Sequence, residues 1–200
     1  MGLSEHPSTE VLSTYVRGAT SPGVALAVET HMELCETCRS DAGPAYSSPS
    51  DVEAGARPSK ATRQVDVMDD LPAGRQRSAA LGRVRPGPWR RVARGVRRSP
   101  LRSACGLGES VFLLTASAGA ALGLPAAAHL VVVLRGAVRR ADGVYARGDF
   151  IEAAGVRLQG ARGDEVAGCL CLVVGDDDLY GSSLVGLLRG STRSLAEPQD

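Results

Sequence analysis

The chain has 200 residues, 44% apolar and 22% charged, so it can bury a core as one large domain or two small ones. Its formal net charge of +1 points to no class of partner. No run of about 18 apolar residues is present, which excludes a transmembrane helix. The N-terminus lacks the basic and apolar segments of a signal peptide. Five cysteines, an odd number with two at metal-ligand spacing, fit a reducing cytosol better than a disulfide scaffold. Charge is unevenly spread. Residues 1–60 carry 8 acids and 4 bases, residues 71–108 carry 10 Arg and no acid, and residues 109–200 carry 11 acids and 8 bases. Arg outnumbers Lys by 22 to 1, which reads mainly as genomic base composition.

In chain order, His6-Pro7-Ser8-Thr9-Glu10 reads as a helix start, with Pro7 in the first turn and Glu10 at the positive end of the dipole. Val11, Leu12, Tyr15 and Val16 form a short apolar face, and Gly18 stops the helix. Ser21-Pro22 opens a second helix as N-cap and N1. Its seam, Val24, Val28, His31, Cys35 and Cys38, runs directly into metal-binding residue types. His31, Cys35 and Cys38 stand at relative positions 0, 4 and 7. In one unbroken helix they would share a face within about 40°, but the outer two would be roughly 10 Å apart along the axis. One metal ion needs them closer, so the helix is expected to break near Cys35.

Three soft ligands in eight residues suggest zinc, and structural zinc takes a fourth ligand. The chain holds three histidines, His6, His31 and His129. His6 is the natural fourth ligand, because it precedes a helix able to pair with the ligand helix. A metal would supply folding free energy that so small a helical unit lacks.

Residues 40–60, rich in Ser, Pro, Ala and Gly, read as loop. Gln64–Leu71 reads as one more short helix with Val65, Met68 and Leu71 on one face. Residues 73–87 read as an Arg- and Gly-rich linker, closed by Pro86-Gly87-Pro88. From Trp89 the texture changes. Apolar runs at Val111–Leu114, Leu130–Leu134, Gly143–Tyr145, Asp149–Ile151 and Gly168–Val174 alternate with turn residues at roughly ten-residue intervals, as in a β-sandwich or barrel. Leu184–Leu188 reads as a last helix or strand, and 191–200 as a tail. The expected fold class is α+β: a helical zinc-binding unit over 1–72, the linker 73–87, a β-sandwich over 88–190 and the tail.

Other residue groups have plainer readings. The arginines from Arg75 to Arg102 lack aromatic partners except Trp89, and read as a solvated linker and an edge strand guarded against aggregation, not as a nucleic-acid surface. His129 reads as a core or rim residue. Cys169 and Cys171 alternate along a strand and share a face; buried small hydrophobes are favoured over a redox or metal pair. Cys105 is isolated. Asp176-Asp177-Asp178 reads as an exposed turn. No catalytic motif is present: there is no Gly-x-Ser-x-Gly, no phosphate-binding glycine loop and no His/carboxylate pair placed by sequence.

His6-Pro7-Ser8, Leu12, Tyr15, Gly18 and His31-x3-Cys35-x2-Cys38-Arg39 resemble the zinc-binding domain of ChrR-type anti-sigma factors. The second half resembles that family's cupin domain, in Pro88-Trp89-Arg90-Arg91-Val92, Ala118-Gly119-Ala120, Val133-Leu134-Arg135-Gly136, Asp142-Gly143-Val144-Tyr145, Gly148-Asp149-Phe150 and Gly168-Cys169-Leu170-Cys171-Leu172. The resemblance spans nearly the whole chain. It implies a cytoplasmic regulator, not an enzyme. Such a protein sequesters an extracytoplasmic-function sigma factor through its zinc domain and releases it under stress, in the best-known cases oxidative.

On this reading His6, His31, Cys35 and Cys38 ligate Zn²⁺, and the chain has no direct contact with nucleic acid or membrane. Cupins of the family carry a second metal site built from His-x-His, a Glu and a later His. Here His129 falls near the Glu position and Leu158 near the later His, and His-x-His is missing. A barrel without metal is therefore expected. The alternative reading is a metal-free cupin sensor, or a cupin-type enzyme, with a structural zinc domain.

Overall fold

A computed structural model describes residues 2–3, 5–41, 78–124, 127–141 and 143–176. The helix expected over Gln64–Leu71, the element at Leu184–Leu188, the tail and most of the loop and linker stretches lie outside the described residues.

Three helices open the chain: α1 (Thr9–Val16), α2 (Pro22–Leu34) and α3 (Glu36–Asp41). Ser8, not Pro7, begins α1. Its side chain accepts from the Val11 amide at 3.3 Å, which leaves Pro7 buried outside the helix rather than in its first turn. Ser21 caps α2 and Pro22 occupies its first turn, as the sequence predicts. At Cys35 the backbone turns extended (φ −118°, ψ 109°) and separates α2 from α3. This is the expected break.

In the stretch read as a linker, Ala79–Gly82 forms a short helix, α4. Ser78 caps it, and Glu33 of α2 accepts from the Ala80 amide at 2.8 Å. Arg83 adds an ion pair to Glu29 of α2. Pairing with α2 thus orders a segment whose composition alone favours a loop.

The described residues form nine strands in one sheet: β1 (Gly2–Leu3), β2 (Arg90–Ala93), β3 (Val96–Pro100), β4 (Glu109–Ala116), β5 (Ala128–Arg140), β6 (Gly143–Ala146), β7 (Phe150–Glu152), β8 (Arg162–Gly163) and β9 (Cys169–Asp176). Their order is β1-β6-β5-β9-β4-β3-β2, and β7 and β8 also pair with β5. The β-sandwich expected from the spacing of apolar runs is present, with each of the five runs on a strand or at its edge. A 3₁₀ turn (Arg102–Ala104) and a short helix, α5 (Ala154–Arg157), complete the fold. β2 lies at one end of the path with all four residues exposed, and Arg90 and Arg91 guard that edge.

Strands β4, β5 and β9 are buried on both faces, which explains their near-continuous apolar sequence. One face, with Phe112, Leu114, Val131, Val133, Cys171 and Val173, encloses the inner core inside the curled sheet. The other face, with Val111, Leu113, Leu130, Val132, Leu172 and Val174, packs against Leu26, Ala27, Val28 and Met32 of α2. The helical unit therefore lies directly on the sheet. The α2 seam expected from spacing is too narrow: Leu26, Ala27 and Met32 are also buried, because this helix faces the sheet as well as its fellow helices.

Close approach is needed at the start of α2. A β-carbon on Gly23 would come within 2.5 Å of Val111 and 2.7 Å of the Glu109 carboxyl. Glu109, buried on β4, accepts from the amides of Gly23 at 2.9 Å and Gly106 at 3.0 Å, and from the Ser21 hydroxyl. One carboxylate thus ties the positive end of α2 to the sheet.

Candidate metal centre

The break at Cys35 makes the site. α2 delivers His31 from its last turn, Cys35 sits in the extended corner, and α3 returns Cys38 toward His31. His6 arrives from the segment before α1. One ligand atom from each of His6, His31, Cys35 and Cys38 lies within 4.8 Å of all the others. His6 Nδ1 is 3.4 Å from Cys35 Sγ and 3.3 Å from Cys38 Sγ. Donors around one tetrahedral zinc ion stand roughly 3.3–3.8 Å apart, given Zn–S and Zn–N bonds of about 2.3 and 2.0 Å. The four residues fit a metal ion with only small side-chain adjustment.

His31 is the buried member. Its Nδ1–H donates to the Gly148 carbonyl at 2.6 Å, leaving Nε2 with the lone pair. That Nε2 is buried and has no hydrogen-bond partner. A buried polar atom without a partner is costly, and a metal ion satisfies it. Burial pushes the imidazole down to about 4; the Gly148 bond opposes this and the neighbouring His6 adds to it. The ring is therefore neutral at pH 7, as metal ligation requires. The rings of His6 and Phe150 each meet it edge-on at 5.6 Å.

Burial, and next the adjoining Cys35 thiol, push Cys38 up to about 12. All five cysteines are free thiols.

The remaining sites noted in the sequence lie apart. His129 projects from β5 with its Nδ1 3.7 Å from the Asp176 carboxylate, half exposed at the rim. Asp176 ends β9, and Asp177 and Asp178 lie outside the described residues. Leu158 is buried in the inner core among apolar side chains. Cys169 and Cys171 share that core, as their alternation predicts. Trp89 carries the Arg97 guanidinium over its ring at 5.8 Å. Cys105 is half-buried beside the 3₁₀ turn. Among the described residues, no helix is long and apolar enough to cross a membrane.

No protein-family model matches the sequence, and no curated protein matches it. Solved structures do. A chain of the crystal structure of Rhodobacter sphaeroides SigE in complex with the anti-sigma ChrR superposes with a TM-score of 0.62 at 25% identity, covering 86% of this chain and 98% of that one. This chain resembles the ChrR-type zinc-binding anti-sigma factors with a C-terminal cupin domain. The likeness extends over most of this chain. An RmlC-like cupin protein from Ralstonia eutropha also matches, at 15% identity and a TM-score of 0.28, covering 67% of this chain and 96% of its own.

Sequence reasoning found all four members of the cluster. It missed Gly148, whose contribution is a backbone carbonyl, and Glu5 and Asp149, which fix the backbone beside His6. No side-chain motif marks such roles.

Proposed function

We propose that this chain is an anti-sigma factor. It binds an extracytoplasmic-function sigma factor through the helical unit, keeps it from RNA polymerase, and releases it under stress, with an oxidant as the leading trigger. The observation that carries this reading is the likeness to a chain of the SigE–ChrR complex over nearly the full length of both chains.

A single structural zinc ion, held by His6, His31, Cys35 and Cys38, fits the donor set. Two imidazoles and two thiolates are the soft, four-coordinate ligand set that zinc favours, with no position left open for substrate. The ion's part is to hold α1, α2 and α3 in one arrangement for the partner. Exposed apolar and acidic residues of the first helix, such as Val16 and Glu10, are available to dock helices of the sigma factor.

The β-sandwich is a regulatory module without catalytic work or bound metal in this reading. In support, apolar side chains such as Phe112, Leu114, Ile151 and Leu158 fill its interior, and His129 faces the rim. The unit boundaries are 1–72 and 88–190, and the protein acts in the cytoplasm without direct contact with nucleic acid.

The test is transcription in vitro from a promoter served by the cognate sigma factor. The wild-type chain is expected to inhibit at equimolar amounts. The Cys35→Ser/Cys38→Ser variant is expected to need at least tenfold more protein. A zinc-free, folded double variant that inhibits as well as wild type would overturn the reading.

A further inference from the structure

The metal centre is fastened to the sheet at and beside the turn between β6 and β7. Gly148 presents its carbonyl to His31 Nδ1 at 2.6 Å. The next residue, Asp149, is buried and uses both carboxylate oxygens. Oδ2 accepts from the Ala146 amide at 2.7 Å and closes the turn. Oδ1 accepts from the Glu5 amide at 3.3 Å, one residue before His6.

The strap continues on both sides of that contact. The Phe150 amide donates to the Glu5 carbonyl at 2.9 Å, and the Ser8 amide donates to Glu152 at 2.6 Å. Arg157 of α5 holds the Glu5 carboxylate at 2.6 Å. His6 therefore hangs from a segment sewn to β7 on each side of it, and His31 is oriented by the same turn. The turn is itself anchored in the sheet, where the Gly148 amide donates to Val133 at 2.8 Å and the Val133 amide donates to Asp149 at 3.0 Å.

We propose that Gly148 and Asp149 are positioning residues for the metal centre: consecutive residues of one sheet turn set the tautomer and direction of His31 and the place of His6. This inference rests on the metal reading above. It makes the metal centre a joint property of helices and sheet. A shift of the turn within the sheet loosens two of four ligands. Both cysteines lie outside this control, since Cys35 and Cys38 are placed by the α2–α3 corner. The sheet thus has a path to the partner-binding helices that requires no contact with the partner. Hydrogen-bonding groups behind metal ligands typically govern affinity by 10- to 100-fold.

The experiment uses the full chain and three variants: Asp149→Ala, Asp149→Asn and, as a control, Asp164→Ala. Asp164 pins a different turn in the same manner, accepting from the amides of Val166 at 3.0 Å and Ala167 at 3.1 Å. Zinc affinity is read by competition with a chromophoric chelator, and ligand geometry by the visible spectrum of the Co²⁺-loaded protein. Asp149→Ala is expected to weaken zinc binding at least tenfold and to alter the cobalt spectrum. Asp149→Asn, which keeps one acceptor, should fall between it and wild type, and Asp164→Ala should match wild type.

An Asp149→Ala protein with wild-type affinity and spectrum overturns the inference while the metal reading stands. A wild-type chain that binds neither Co²⁺ nor Zn²⁺ brings down both. Should Asp149→Ala fail to fold, long-range ¹H–¹⁵N spectra of the zinc-loaded wild type decide. A protonated Nδ1 and a metal-bound Nε2 on His31 support the inference, and metal on Nδ1 overturns it.

Discussion

The Nδ1 atom of His31 and the carbonyl oxygen of Gly148 stand 2.6 Å apart, across 117 residues of sequence. That contact joins the end of α2 to a turn of the sheet and leaves the imidazole lone pair facing the two cysteines. Gly148 adopts φ +100°, a conformation that side chains resist, although a β-carbon there would meet Leu34 only at an ordinary 3.7 Å. Gly148→Ala is therefore expected to cost about 1–3 kcal/mol through backbone strain rather than a clash. Urea unfolding measures it, and an unchanged midpoint would show that the turn tolerates the residue.

Glu109 is the second tie between helices and sheet. Glu109→Gln keeps the shape but turns an NH₂ group toward donors that now meet a carboxylate, the amides of Gly23 and Gly106 or the Ser21 hydroxyl. Losing charge-assisted bonds in a buried site is expected to cost about 2–3 kcal/mol. Chemical denaturation should show a lower midpoint with little change in slope.

Asp164 gives a pH signature. The Ala167 amide, then Arg139, then the Val166 amide hold its carboxyl down at about 2, against an ordinary 3.8. A carboxylate with a lowered folded value adds stability above its unfolded value and loses it as pH falls toward the folded one. The stability gap between wild type and Asp164→Asn should be constant above about pH 5 and close between pH 4 and pH 2. Thermal unfolding across that range checks it. A gap that persists at pH 2 would assign the effect to something other than this ionisation.

The thiols should react in a fixed order. Cys169 and Cys171 are 4% and 0% exposed in the inner core. The hydrogen bond that Cys171 donates to Cys169, together with burial, pushes Cys171 well above the ordinary thiol range, and the same bond holds Cys169 below it. A bulky disulfide reagent added to the folded, metal-loaded protein is expected to modify Cys105, which is half-buried, and to spare Cys169 and Cys171. All five should react in denaturant. Rapid modification of Cys169 in the folded state would revive the redox reading of that pair.

Much of the site was legible because its chemistry is carried by side chains at close spacing. Donors at His31, Cys35 and Cys38 cannot meet on one ion within a continuous helix, so the corner at Cys35 follows from the ligands themselves. Strands β4, β5, β6, β7 and β9 were legible for the same local reason, apolar runs cut by turn residues, whereas the short β1 and β8 and the Arg-rich β3 carry no such run. What escaped was set by distant partners. Leu26, Ala27 and Met32 are interleaved with Glu29, Thr30 and Glu33, and their burial follows from a sheet face that begins at Val111, far along the chain. Helix α4 has four residues, too few to leave a periodic pattern, and beyond its Ser78 cap it draws on the distant Glu33 to accept from the Ala80 amide. Gly148 acts through its backbone, which every residue type possesses.

The most direct test of the account is recovery of sigma factors from the host by the full chain, before and after removal of zinc with a strong chelator, with metal content measured in both samples. The account predicts one zinc ion per chain, recovery of one extracytoplasmic-function sigma factor, and loss of most of that recovery once the metal is gone. Recovery of no sigma factor by zinc-loaded protein, or undiminished recovery by fully stripped protein, would contradict it.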